Sequence, residues 1–207
     1  MLSCFQGSTN TVFQYILKFY CKKNSTVLDI THGRGLSWEN PKEGFSYNVI
    51  KVDKRKLADD VIQSDFNEYL KNKEGESVDC IYFDPPYYFK ERISNFNIKE
   101  QMLDDEAEVY WTEKEFKEAL ETLQKEVPRI LREKGVFIAK IMDGYVAKDY
   151  FSNAFDIFEK MKKVMIPRGT FICPIQRKNT IIKLVRVNHI YYLVFQKLET
   201  KKEPHKE

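Results

Sequence analysis

The segment Val78-Asp-Cys-Ile-Tyr-Phe83 reads as a buried strand that runs without a break into Asp84-Pro85-Pro86-Tyr87. Two successive prolines hold the backbone extended and prevent a helix from starting at Asp84 or Pro85. They also remove two N–H donors, so the carboxylate of Asp84 and the carbonyl of Pro85 are left as neighbouring acceptors. A chain that stops a buried strand in this way has placed polar chemistry at a sheet edge. An ordinary Pro-Pro loop capped by Asp84, with Tyr87 and Tyr88 as packing aromatics, is the competing reading.

The surrounding pattern decides which sheet this is. Short apolar segments alternate with helical patterns, which favours a largely parallel sheet with helices on both faces. Thr26–Ile30, Asn48–Asp53 and Val61–Ser64 are expected as the first three strands and Val78–Phe83 as the fourth. A first helix carries Val12, Ile16, Leu17 and Tyr20, with Thr9 or Asn10 as its cap. A second runs from Phe66 to Lys73 behind Asp65. Thr112 and Glu115 have capping-box spacing and open a long helix to about Glu133, which Pro128 should kink or break. Gly135 marks the turn into strand Val136–Ile141. A helix over roughly Ala147–Lys162 and strands near Lys163–Cys173 and His189–Lys197 complete the domain, residues 1–199. The charged segment 200–207 lacks a packing pattern and reads as a disordered tail. Residues 88–111 show no clean period and read as a flexible loop on the substrate side.

The first strand leads into a glycine loop, Asp29-Ile-Thr31-His-Gly33-Arg-Gly35. Paired glycines let a backbone turn tightly and approach a ligand closely. Asp53 ends the second strand eighteen residues beyond Gly35, where nucleotide-binding folds place a carboxylate on a ribose diol. Asp29, Asp53 and Asp65 would then share one sheet edge, a costly cluster unless ligand or solvent satisfies it. The spacing is not the GxGxxG of a dinucleotide site, and no Walker lysine follows. A GxG turn alone is weak evidence; its combination with the Pro-Pro motif is strong. Two adjacent acceptors suit a substrate NH2 group, and Tyr87 offers an aromatic face on which an extruded base can stack.

Together these motifs resemble the amino-methyltransferases, the DNA adenine-N6 and cytosine-N4 enzymes. That family's tetrapeptide of Asp, Asn or Ser, two prolines and an aromatic is matched by Asp84, Pro85, Pro86 and Tyr87. The resemblance runs over most of the chain, through the strand Gly135–Asp143 to a final, antiparallel strand His189–Lys197. It implies a single-domain, Rossmann-like α/β fold with a mixed seven-stranded sheet, and S-adenosyl-L-methionine (SAM) as cofactor. Cofactor contacts are implied for Asp29, Thr31, Gly33, Gly35, Asp53, Asp65 and Phe66. Catalytic roles fall on Asp84, Pro85, Pro86 and Tyr87, and Tyr88, Lys140, Arg177 and Lys178 are candidate substrate contacts. His32 and Arg34 depart from the small or aromatic residues usual in the glycine loop, and His32 is expected to pack locally.

Charge and cysteine usage bound the rest. Residues 101–126 are acidic, whereas the last quarter is basic, through Lys160, Lys162, Lys163, Arg168, Arg177, Lys178, Lys183, Arg186 and Lys197. Such a basic region can attract phosphates or simply be a solvated surface. The four cysteines form no CxxC or Cys/His ligand pattern, which argues for a reduced, cytoplasmic protein without zinc. No apolar run is long enough to span a membrane, and no signal peptide is evident. No cysteine follows a proline, as a cytosine-C5 enzyme would require. The expectation is methyl transfer to adenine N6 in DNA. The alternatives are an RNA amino-methyltransferase and a non-catalytic nucleic-acid-binding subunit of the same fold. Whether a second copy or a specificity partner supplies target recognition stays open.

Overall fold

The computed structural model describes residues 4–5, 7–41, 44–87, 89, 111–146, 149–175 and 189–199. Tyr88, Arg177, Lys178, most of the loop after Tyr87 and the tail 200–207 lie outside them. Within the described residues the strands are β1 (Thr26–Asp29), β2 (Asn48–Asp53), β3 (Val61–Gln63), β4 (Val78–Phe83), β5 (Leu131–Ile141), β6 (Gly144–Val146), β7 (Asp149–Phe151), β8 (Met165–Pro174) and β9 (His189–Lys197). The helices are α1 (Thr9–Tyr20), α2 (Phe66–Asn72), α3 (Glu113–Ile130) and α4 (Asn153–Met161).

Seven strands form one sheet in the order β3-β2-β1-β4-β5-β9-β8. β1 pairs in parallel with β2 and β4, β2 with β3, and β4 with β5. β9 is antiparallel to both β5 and β8, so the last strand among the described residues is the reversed one, as expected. Alternate residues of the central strands serve two cores. Ile81, Phe83, Phe137 and Ala139 face α2, α3 and α4. Cys80, Tyr82, Val136 and Ile138 face α1, where Phe13, Ile16 and Leu17 are fully buried, each contributing about 1.5–3 kcal/mol. Three of the cysteines, Cys21, Cys80 and Cys173, are buried as free thiols.

Local signals account for most helix starts. The capping box is formed: Glu115 N–H donates to Thr112 Oγ1 at 3.1 Å and Thr112 N–H to Glu115 Oε2 at 2.6 Å. At α1 the cap is Ser8 rather than Thr9 or Asn10, although Asn10 Oδ1 also accepts from Thr11 N–H. α3 ends at Ile130, not near Glu133. Pro128 lies in its last turn, and Leu131 is already extended and paired with Val78. The turn into the buried part of β5 follows, with Lys134 at φ 62°.

The helix expected from Ala147 begins instead at Asn153. Residues 144–146 and 149–151 pair as a hairpin, Gly144 opposite Phe151. The reason is a buried carboxylate at the foot of the hairpin. Asp143 accepts from Tyr150 OH at 2.6 Å, from Ser152 Oγ at 3.1 Å and from Ala154 N–H at 2.9 Å. Those bonds reward the hairpin and the later helix start together, which helical periodicity does not reveal. Among the described residues no helix is long and apolar enough to cross a membrane.

Gly144 makes this hairpin testable. A Cβ there would sit 1.7 Å from Phe151 Cζ, and Phe151 packs on Phe89 with ring centroids 5.6 Å apart. Gly144→Ala is expected to expel the Phe151 ring and lower the unfolding free energy by about 1–3 kcal/mol. Urea denaturation measures this, and an unchanged midpoint would contradict the close packing.

Candidate functional site

β1, β4 and β5 run in parallel, so their carboxyl ends open on the same edge of the sheet. There Leu28 pairs with Ile81 and Phe83 with Ala139, which puts Asp29, Asp84 and Lys140 at neighbouring strand ends. A cavity of about 850 Å³ lies along this edge. The glycine loop, Asp53 and the start of α2 line one part of it; Asp84-Pro-Pro-Tyr87 and Lys140 line another. That volume falls in the range of small-molecule sites, and its place beyond the carboxyl ends is where open α/β sheets bind ligands.

The glycine loop is organised by carboxylates. Gly33 and Gly35 have φ of 55° and 74°, left-handed values that favour glycine. Gly35 also lies against the His32 ring, which would be 3.0 Å from an added Cβ. Asp53 Oδ2 accepts from Gly33 N–H at 2.7 Å, and Oδ1 accepts from Arg55 N–H at 2.9 Å. Asp29 is buried. Its Oδ2 bonds to His32 Nδ1 at 2.8 Å and accepts from Trp38 Nε1 at 2.7 Å, while Oδ1 accepts from Thr31 N–H at 3.3 Å. Burial pushes the Asp29 carboxyl above its usual range, and these bonds oppose the shift. The chain itself therefore satisfies Asp29, one of the three carboxylates whose clustering was expected to be costly unless ligand or solvent satisfied it. His32 packs locally against Gly35 and Asp29, as expected, and also lines the cavity.

Asp65 caps α2: its Oδ1 accepts from Asn67 N–H at 2.9 Å and from Glu68 N–H at 3.4 Å. It nevertheless lines the cavity, together with Phe66. The Phe66 ring stacks on Trp111, with centroids 5.3 Å apart and planes 14° apart, giving this end an aromatic wall. Gly33 also borders the cavity, and a Cβ placed on it would meet no atom nearer than 3.9 Å. A bare backbone turn, an accepting carboxylate at the end of β2 and an aromatic wall are contacts suited to a nucleoside-bearing cofactor such as SAM.

The other end of the cavity is built on Asp84. Its N–H donates to Thr31 Oγ1 at 2.6 Å, which ties the Pro-Pro loop to the glycine loop. Oδ1 accepts from Tyr87 OH at 2.7 Å. Oδ2 accepts from Lys140 Nζ at 2.7 Å and from Tyr82 OH at 3.3 Å, with Ser37 Oγ a further 2.8 Å from Tyr82 OH. Burial, followed by the charge of Asp84, pushes the Tyr82 and Tyr87 hydroxyls well up, which keeps them protonated donors. Asn153 secures the next residues by donating to the carbonyls of Tyr87 and Met142 at 2.9 and 3.0 Å.

Of the residues proposed from the sequence, Asp29, Thr31, Gly33, Asp53, Asp65, Phe66, Asp84, Pro85, Pro86, Tyr87 and Lys140 line one cavity; Gly35 does not border it and packs against His32, and Tyr88, Arg177 and Lys178 lie outside the described residues. Asp84 is not the bare acceptor that the tetrapeptide suggests, because three side chains already donate to it. Tyr82, Ser37, Trp111 and Asn153 were not anticipated. Tyr82 was discoverable, since it precedes Asp84 by two residues on a strand and must share its face. Asn153 and Ser37 carry no such local signal.

No protein-family model and no curated protein sequence matches the chain. Solved structures do. The Bradyrhizobium japonicum N-methyltransferase NodS, bound to S-adenosylhomocysteine, aligns with a TM-score of 0.53 at 12% identity, over 92% of this chain and 86% of its own. A SAM-dependent methyltransferase from Archaeoglobus fulgidus aligns at 0.51 and 16% identity, over 92% and 95%. A provisionally assigned DNA modification methylase from Thermus thermophilus, complexed with SAM, aligns at 0.47 and 18% identity, over 68% of this chain. The chain spans about half the length of that protein, 56%. With its reversed strand between β5 and β8 and its cavity at the carboxyl edge, the chain has the Rossmann-like fold of SAM-dependent methyltransferases.

Proposed function

We propose that this protein transfers a methyl group from SAM to an exocyclic amino nitrogen of a nucleic-acid base, adenine N6 in DNA. The observation that carries the proposal is the Asp84–Pro85 acceptor pair, bonded through Thr31 to the glycine loop and sharing one cavity with it. Asp53 would accept a ribose hydroxyl, Phe66 would flank an adenine, and the glycine loop at Gly33 would lie against the amino-acid part of the cofactor. When bound, SAM would supply an electrophilic methyl group to the amino lone pair held by Asp84 and Pro85, its sulfur keeping the electron pair of the C–S bond. The nitrogen then loses one proton to water.

The chain's contribution is orientation. A carboxylate has about four acceptor positions. Three on Asp84 are filled, which leaves room on Oδ1 for one substrate N–H. The Pro85 carbonyl accepts the other N–H, so the nitrogen lone pair is directed out of the base plane. Holding it there supplies much of the rate by proximity. Tyr87 is itself fixed by its bond to Asp84 and by Asn153, so the ring is rigid where the base would stack.

Labelled SAM incubated with duplex DNA, single-stranded DNA and RNA, followed by nucleoside mass spectrometry, tests the reading. N6-methyladenine in DNA is the expected product; label in RNA alone would move the assignment to an RNA enzyme, and label in no base would refute it. Asp84→Ala is expected to lower transfer at least a thousandfold while the SAM dissociation constant, read by calorimetry, stays within threefold. Asp53→Asn is expected to weaken SAM binding about tenfold, the scale of one charge-assisted hydrogen bond. Unchanged affinity would remove Asp53 from the cofactor site.

A further inference from the structure

Lys140 stands at the carboxyl end of an interior strand, 8% exposed, in the otherwise apolar run Val136–Ile141. Removing an ammonium from water is expensive unless it is paired. Asp84 provides the pairing at 2.7 Å, and both groups line the same cavity. As a charge partner alone, however, lysine is a poor choice for this acceptor. A cation beside Asp84 weakens the carboxylate's hold on an amino group that turns positive as it is methylated. Its presence calls for a second role.

Geometry supplies one. An ammonium carries three donors. One is used on Asp84, and Lys140 borders the cavity with no other side-chain hydrogen bond among the described residues. Asp84 and Lys140 therefore set an acceptor and a donor side by side on adjacent strands. The complement is a substrate edge with a donor NH2 beside a ring nitrogen that accepts. Adenine offers that pair at N6 and N1, and cytosine at N4 and N3. Guanine's amino group is flanked by N1–H, which would set donor against donor, and by N3, which lies on the sugar side of the base where the attached sugar crowds the approach of Lys140.

We infer that Lys140 is a specificity-determining residue that donates a hydrogen bond to the ring nitrogen next to the methylated amino group, selecting adenine or cytosine over guanine. The inference rests on the amino-methyltransferase reading above. Discrimination of this kind arises when a site built for a hydrogen bond meets a substrate that lacks it.

The test uses the full-length protein and the oligonucleotide found to be methylated by nucleoside analysis, with its target adenine replaced by 1-deazaadenine. That base keeps the amino group and replaces N1 with C–H; 3-deazacytosine serves if the target is cytosine. Wild-type protein is expected to prefer the natural base at least tenfold in kcat/KM, a ratio that needs no variant to measure. In Lys140→Met the preference is expected to fall below threefold, because the intrinsic reactivity of the two amines is common to both enzymes. Lys140→Leu is the second variant, near-UV circular dichroism checks folding, and equilibrium binding of the two oligonucleotides gives the same ratio where turnover is too slow. Equal use of the deaza base by wild type, retention of the preference in both variants, or a guanine-N2 product would overturn the inference while leaving amino methylation intact. A rise in the SAM dissociation constant with no change in base preference would assign Lys140 to the cofactor instead. Absence of methylation on every base would overturn the underlying reading as well.

Discussion

Everything at the cavity depends on three parallel strands ending at one level. The register of β1, β4 and β5 brings Asp29, Asp84 and Lys140 to a common edge before any side chain has chosen a partner. Residues 84 and 140 are distant in sequence and adjacent in space only because the pairing of Phe83 with Ala139 makes them so. The glycine loop and the Pro-Pro loop then meet as backbone extensions of neighbouring strands, joined by the Thr31–Asp84 bond. A shift of one residue in β4 would turn Asp84 to the opposite face and separate it from Tyr82, Lys140 and Ser37.

Two acidic side chains on adjacent strands are stabilised in different ways, and the difference assigns their jobs. Asp29 is held by an indole, an imidazole and a backbone amide, all short-range partners from its own loop. It shapes the loop. Asp84 is held by a lysine and two phenols drawn from β4, β5 and the Pro-Pro turn. Its carboxylate keeps an ion partner and contact with the cavity. A buried charge of this second kind gives little net stability relative to an apolar replacement, so its value lies in what it presents to a ligand.

Much of this was legible in the residues alone. Strand β4 and the reversed strand β9 fall at their expected bounds, because apolar β-branched and aromatic runs bounded by turns state their identity locally. The tetrapeptide announced a rigid acceptor, and proline geometry is independent of context. What escaped was tertiary. The strand Asp149–Phe151 was mistaken for the start of a helix, because Asp143 stabilises the pairing through bonds to three residues downstream, an effect with no period. Asp65 was read as a cofactor contact, while its place before Phe66 also makes it an N-cap. Lys140 was a candidate substrate contact; its bond to Asp84 could be seen only once the register of two strands was known.

The sequence contains two tryptophans, Trp38 and Trp111; the second lines the cavity and the first is one hydrogen bond away from it. Trp38 has its indole N–H committed to the Asp29 carboxylate, which borders the cavity beside the glycine loop. Trp111 lies on the aromatic wall against Phe66. All indole emission from this protein therefore originates at or beside one site: one fluorophore next to a carboxylate, the other in face-to-face contact with a phenyl ring. The molecule carries its own optical gauge of cavity occupancy, with a polar channel and an apolar one, and needs no attached label.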